Sequence, residues 1–258
     1  MRIVIKIGTS TLTYATGNLH IRHVESLCKV ISDLKNAGHE IILVSSGAIG
    51  MGVGKLGLSE RPRDMPTKQA AAAVGQCELM YFYDKLFSEY NHTVGQILIT
   101  GSDLHHPHRS FNFQSTVDRL LTLHVLPIIN ENDTVATEEI AVGDNDTLAA
   151  IVATTVRADL LVLLSDIDGL YTADPHKHPD ARLIPHVMEI NEEILALAGD
   201  AGSALGTGGM KTKLSAARLC TEKGTDMVIA NGSDPTLLYG IAEGKEIGTR
   251  FHKKENTL

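Results

Sequence analysis

Two kinds of apolar patterning alternate along the chain. Short continuous apolar runs occupy Ile3–Ile7, Glu40–Val44, Thr93–Thr100, Leu126–Ile129, Asp159–Leu164 and Asp226–Ala230, with a closing run at Gly248–His252. Runs of this length, apolar on both faces, read as strands buried in a parallel sheet. Between them, His23–Ala37, Lys68–Phe87, Phe113–His124, Leu148–Val156, Ile194–Ala198, Leu214–Thr221 and Pro235–Ala242 read as helices. In the first of these, Val24, Leu27, Cys28, Ile31 and Leu34 recur at three- and four-residue steps, and Gly38 supplies the stop. The alternation runs from end to end without a Pro- or Ser-rich linker or an internal repeat. It predicts an α/β, three-layer sandwich with an open, mostly parallel central sheet and helices on both faces.

Polar residues gather where these strands end, which is where open α/β sheets bind ligands. Lys6 closes the first run and is followed by Gly8-Thr9-Ser10. A strand lysine is often a charge that protects a sheet edge; its place before a small-residue turn favours a phosphate contact. Ser45-Ser46-Gly47-Ala48 follows the second run and suits either an anion site or an ordinary turn with serine as helix cap. Asn130-Glu131-Asn132-Asp133 and Asp144-Asn145-Asp146 are dense clusters of acids and amides. Capping accounts for Asp146 or Thr147 but not for the clusters, which suit a cation, an amino group or the orientation of lysines. Ser165-Asp166 follows the fifth run.

The richest stretch is Gly206-Thr207-Gly208-Gly209-Met210-Lys211-Thr212-Lys213, which feeds directly into a helix. Glycines let a backbone approach a ligand closely. The unpaired N–H groups and positive dipole end of the helix then make an anion cradle, with two lysines beside it.

Other patterns carry less. Gly52-Val53-Gly54-Lys55-Leu56-Gly57 matches a dinucleotide fingerprint formally but does not sit directly between a strand and a helix; it reads as a glycine-rich surface connection. Leu104–Asn112 contains His105, His106 and His108 without a carboxylate at ligand spacing and reads as a solvated loop. No metal ligands are assigned. Lys68–Phe87, rich in alanine, suits close approach of another helix or a subunit.

Composition narrows the function classes. The 258 residues are 43% hydrophobic and 21% charged, typical of a globular chain. No apolar run approaches the ~20 residues of a bilayer span, and Lys6 interrupts any secretory apolar region. A net charge of −8, 4% aromatic residues and no tryptophan argue against nucleic-acid binding. Three scattered cysteines, Cys28, Cys77 and Cys220, suggest buried thiols in a reducing cytoplasm, not a disulfide frame or zinc site.

Seven pieces in order carry a resemblance: Val4–Ser10, Val44–Ile49, Lys68–Gln76, Asn130–Asp133, Gly143–Asp146, Leu164–Asp166 with Gly169–Tyr171, and Gly206–Lys213. Together they resemble the amino-acid kinase family over nearly the whole chain. The single glycine after Lys6-Ile7, with Ser45–Ala48 and Asn130–Asp133, is similar to the glutamate-phosphorylating branch. Many members of that branch carry an extra C-terminal domain of the type found in RNA-modifying enzymes, and this chain is expected to lack it.

The resemblance implies one domain over 1–258, with a lobe of about 1–150 for glutamate and one of about 151–258 for ATP. It implies ATP-dependent phosphorylation of the L-glutamate side-chain carboxylate to L-glutamyl 5-phosphate, the first step of proline biosynthesis. Mg²⁺ would accompany ATP, proline would act as feedback inhibitor, and the chain would form a homo-oligomer. Lys6 and Lys213 would flank the phosphoryl group and Asp146 would organise them. Ser46 and Asn145 would hold the glutamate carboxylates, and Asp133 its ammonium group. Lys6, Ser165, Asp166, Thr207, Gly208, Gly209, Met210, Lys211, Thr212 and Lys213 would meet the nucleotide. The alternatives are another phosphotransferase of the family, of acetylglutamate or aspartate type, or a silent sensor, which would need neither lysine.

Overall fold

The computed structural model describes residues 1–14, 16, 18–135, 145–175, 177–198 and 209–254. Among these, eight strands build one sheet: β1 (Arg2–Ile7), β2 (Glu40–Ser45), β3 (Val94–Ile99), β4 (Leu126–Glu131), β5 (Leu160–Ser165), β6 (His186–Val187), β7 (Asp226–Asn231) and β8 (Thr249–Phe251). Their order is β3-β4-β2-β1-β5-β7-β8-β6, and only the β7–β8 pair is antiparallel. The helices are α1 (Thr9–Leu12), α2 (Ile21–Asn36), α3 (Ala48–Leu56), α4 (Met65–Ser88), α5 (Gly101–His105), α6 (Pro107–Thr122), α7 (Asn145–Thr155), α8 (Glu192–Ala196), α9 (Met210–Glu222) and α10 (Leu237–Ala242).

The period of two along each strand divides the core. Ile3, Ile5 and Ile7 of β1 pack with Leu27 and Ile31 of α2, Leu79 and Tyr83 of α4, and Ile241 of α10. Val4 of the same strand packs on the opposite face with Val117 of α6, Val152 of α7 and Leu214 of α9. Lys6 therefore points to the face that α7 and α9 cover. Its strand pairs on both sides, Lys6 with Val44 and with Leu163, so the edge-charge explanation of a strand lysine does not apply.

Three expectations from the sequence are corrected: Cys77 is exposed, while Cys28 and Cys220 are buried, and the other two concern helices. The glycine-rich stretch after β2 is no surface connection. It is helix α3, and Gly52 is buried where α3 crosses α4. A Cβ built on Gly52 would stand 1.8 Å from the Ala71 carbonyl oxygen, and one on Gly75 would stand 1.8 Å from that of Ala48. The glycines are there because the two backbones touch. Third, Leu104–Asn112 is helical on both sides of an extended His106. The Thr100 backbone N–H donates to Asp103 Oδ2 at 2.9 Å and caps α5, and Pro107 at the first position starts α6. His105, His106 and His108 are exposed.

Candidate active site

Three charged side chains meet at the carboxyl end of the sheet. Lys6 Nζ lies 2.6 Å from Asp146 Oδ1, and Lys213 Nζ lies 2.9 Å from Asp146 Oδ2. The carboxylate is only 1% exposed, and both lysines are buried. Local structure explains each position. Lys6 is the penultimate residue of β1, and Asp146 and Lys213 lie in the first turns of α7 and α9. A helix N-terminus favours the carboxylate and disfavours the ammonium, so Lys213 depends on Asp146. Burial alone would raise the Asp146 carboxyl; the two lysines outweigh it and hold it below its ordinary value. Two ammonium groups converge on one carboxylate, an arrangement that suits a polyanion beside them.

A second group of polar atoms is uncharged. Asn145 Nδ2 lies 3.0 Å from the Ser45 carbonyl, 2.7 Å from Ser46 Oγ and 3.1 Å from Asn130 Oδ1. Its amide hydrogens are thus engaged by the protein. Asn130 also donates through Nδ2 to Gln76 Oε1 at 2.9 Å. Ser45 Oγ and the fully buried Tyr83 hydroxyl are 2.9 Å apart.

Beside this group, at the end of β4, Asp133 and Glu131 are acids in poorly solvated surroundings. Burial raises the Asp133 carboxyl, with Arg61 acting in the opposite sense. Burial, with the charges of Asp133 and Asp103 adding to it, pushes the Glu131 carboxyl up to about 7 against a hydrogen bond from the Gly101 backbone. Both acids are thus disfavoured as carboxylates by their surroundings.

The ends of β5 and β7 form the other half. Ser165 Oγ donates to Asp166 Oδ1 at 3.1 Å, and the Gly232 N–H donates to the Ser165 carbonyl at 2.7 Å. Asn231 Nδ2 and the Tyr171 hydroxyl donate to the two oxygens of Asp168 at 2.7 and 2.8 Å, which lowers that carboxyl. Gly209 caps α9, Thr212 Oγ1 donates to the Gly209 carbonyl at 2.7 Å, Met210 is buried and Lys211 is exposed. Thr207 and Gly208, with Gly143 and Asp144, lie outside the described residues.

The structure brings Lys6, Asp146 and Lys213 together, and joins Ser46 to Asn145. Sequence reasoning did not single out Gln76, Tyr83 or Asn130 by itself. Gln76 had one available signal: an uncharged polar residue on the inward face of an apolar helix.

The description of the amino acid kinase family matches residues 1–231. The glutamate 5-kinase of Clostridium tetani is 54% identical over 250 residues, 97% of this chain and 94% of that one. That of Carboxydothermus hydrogenoformans is 54% identical over 98% of this chain and 68% of its own length. The carbamate kinase from Giardia lamblia bound to AMP-PNP shares the fold with a TM-score of 0.67 at 21% identity, covering 98% of each chain.

Proposed function

The chain belongs to the amino acid kinase family, and on that premise we propose that it transfers the γ-phosphoryl group of ATP to the side-chain carboxylate of L-glutamate. The product is L-glutamyl 5-phosphate, which opens proline biosynthesis. The observation that carries the reading is the convergence of Lys6 and Lys213 on Asp146 at the strand ends.

A carboxylate is already a nucleophile, so the reaction requires no general base. The barrier is repulsion between two anions and the charge on the group in transit, so positioning and electrostatics dominate. Lys6 and Lys213 neutralise the phosphoryl oxygens from two sides while Asp146 holds them in place. Ser46, with Asn145 behind it, binds the carboxylate of glutamate, and Asp133 takes its ammonium group. The half of the chain from about 151 onward meets the nucleotide through Ser165, Asp166 and the segment from Thr207 to Lys213.

Among the described residues no three His, Cys, Asp or Glu side chains are placed to hold a metal ion. Mg²⁺ would accompany the ATP phosphates as their counter-ion and offset part of their charge. The same family likeness supports proline as feedback inhibitor and a cytoplasmic homo-oligomer. Ala70, Ala73, Cys77 and Tyr81 give α4 an exposed apolar face that suits a second copy. No described helix is long and apolar enough to cross a membrane.

Hydroxylamine trapping of the acyl phosphate, run in parallel with glutamate, aspartate and acetylglutamate, tests the reading. Glutamate alone is expected to give strong hydroxamate formation; preference for either other acid overturns it.

A further inference from the structure

We propose that Gln76 and Asn130 are positioning residues for the acceptor substrate: they set the direction of a hydrogen-bond chain that makes the Ser46 hydroxyl a donor to the incoming carboxylate. The proposal rests on Ser46 being a substrate contact, as read above.

The chain starts at an atom whose role cannot change. The backbone N–H of Glu131 donates to Asn130 Oδ1 at 2.9 Å. This fixes which end of the Asn130 amide is oxygen, an assignment that otherwise depends on the surrounding network. Its Nδ2 is then turned to Gln76 Oε1, 2.9 Å away, so Gln76 must present oxygen there. The same Asn130 Oδ1 accepts from Asn145 Nδ2 at 3.1 Å. Asn145 is fixed from its other side as well, because the Ser45 carbonyl, 3.0 Å from Nδ2, can only accept. Nδ2 cannot accept, so it donates to Ser46 Oγ at 2.7 Å, its two hydrogens being shared among the three oxygens. A hydroxyl that accepts from one side has its single hydrogen left for another partner. Ser46 is thus set to donate, and an oxygen acceptor such as a carboxylate is what it selects.

Gln76 and Asn130 are buried, and their hydrogen bonds lead through Asn145 to Ser46. The Nε2 of Gln76 is buried and has no acceptor among the described residues. A buried donor without a partner is costly, and a methionine of similar size would avoid that cost. The oxygen of Gln76, which accepts from Asn130 and holds it in the orientation that the Glu131 N–H sets, accounts for a glutamine here. Tyr83, two turns further along α4, bonds Ser45, so one helix steadies both serines of the turn.

The test compares Gln76→Met with Gln76→Glu, which keeps an oxygen facing Asn130. In Gln76→Met the KM for glutamate is expected to rise about five- to tenfold, the loss of one buried hydrogen bond. Its kcat and its KM for ATP stay within about twofold, and Gln76→Glu recovers most of the loss. A merely structural role would lower the active fraction and hence kcat, leaving KM alone. An unchanged glutamate KM in Gln76→Met overturns the proposal. A second pair covers the case in which Gln76→Met does not fold. Asn130→Asp keeps the oxygen that receives the Glu131 N–H and should hold its glutamate KM within about threefold. Asn130→Leu should raise it about tenfold. Equal KM values in those two variants also overturn it. If the wild-type enzyme prefers another acid, the functional reading fails first, and the same comparison is made with that acid.

Discussion

Lys6, at the end of the most central part of the sheet, lies 2.6 Å from Asp146 in the first turn of α7. The contact joins a strand whose position is fixed from both sides to a helix that covers it. It carries the positive charge of β1 to the place where Lys213 arrives from α9.

That convergence gives the first prediction. Lys213→Ala should lower kcat on the order of 10²–10³, the usual cost of removing one transition-state donor. Steady-state kinetics at saturating ATP and glutamate check it; near-normal turnover removes Lys213 from the chemistry.

Asp133 gives a different signature. Asp133→Ala should raise the KM for glutamate and leave that for ATP unchanged, because the contact binds ground state and transition state alike. Substrate titrations in both directions decide it, and an ATP defect contradicts the assignment.

Glu131 predicts a pH dependence. Its carboxyl titrates at about 7 in the folded protein against 4.5 for the free group, chiefly because burial disfavours its charge. Between those values the folded state retains a proton that the unfolded chain has released, so stability falls as pH rises from 4.5 to 7. Glu131→Gln abolishes that loss. Its Tm should exceed the wild-type value at pH ~8 by about 2–4 °C, after allowance for partial solvation, and match it near pH ~4. Thermal melts across that range test the sign as well as the size.

The crossing of α3 and α4 predicts a large stability effect far from the charged trio. Gly75→Ala would place a methyl group 1.8 Å from the Ala48 carbonyl oxygen, and only separation of the helices relieves it. The expected loss is about 3 kcal/mol or more, read from the urea midpoint. A variant as stable as wild type would show that the backbones are not in contact.

Much of this was legible in the sequence. Most strands fall within a residue or two of their apolar runs because residues buried on both faces leave an unbroken signature. Lys6 and Lys213 stood out because charges at strand ends and helix starts lack a packing role, whereas Asp146, which capping alone explains, was assigned through the family resemblance. What was missed has physical reasons. Gly52 was misread because a glycine announces freedom of the backbone, not the close approach that uses it. Helices α5 and α6 begin in a polar stretch, and their start depends on a cap at Asp103 and a proline, not on apolar period. β6 spans two residues, too few for any period. The Gln76–Asn130 contact joins positions far apart in sequence, and neither residue type declares a partner.

One carboxylate serving two ammonium groups has an energetic corollary. Removing either lysine strengthens the hold of Asp146 on the other, so the single losses are not independent. The Lys6→Ala/Lys213→Ala double variant should retain far more turnover than the product of the single effects implies, and a double-mutant cycle on kcat measures the non-additivity directly.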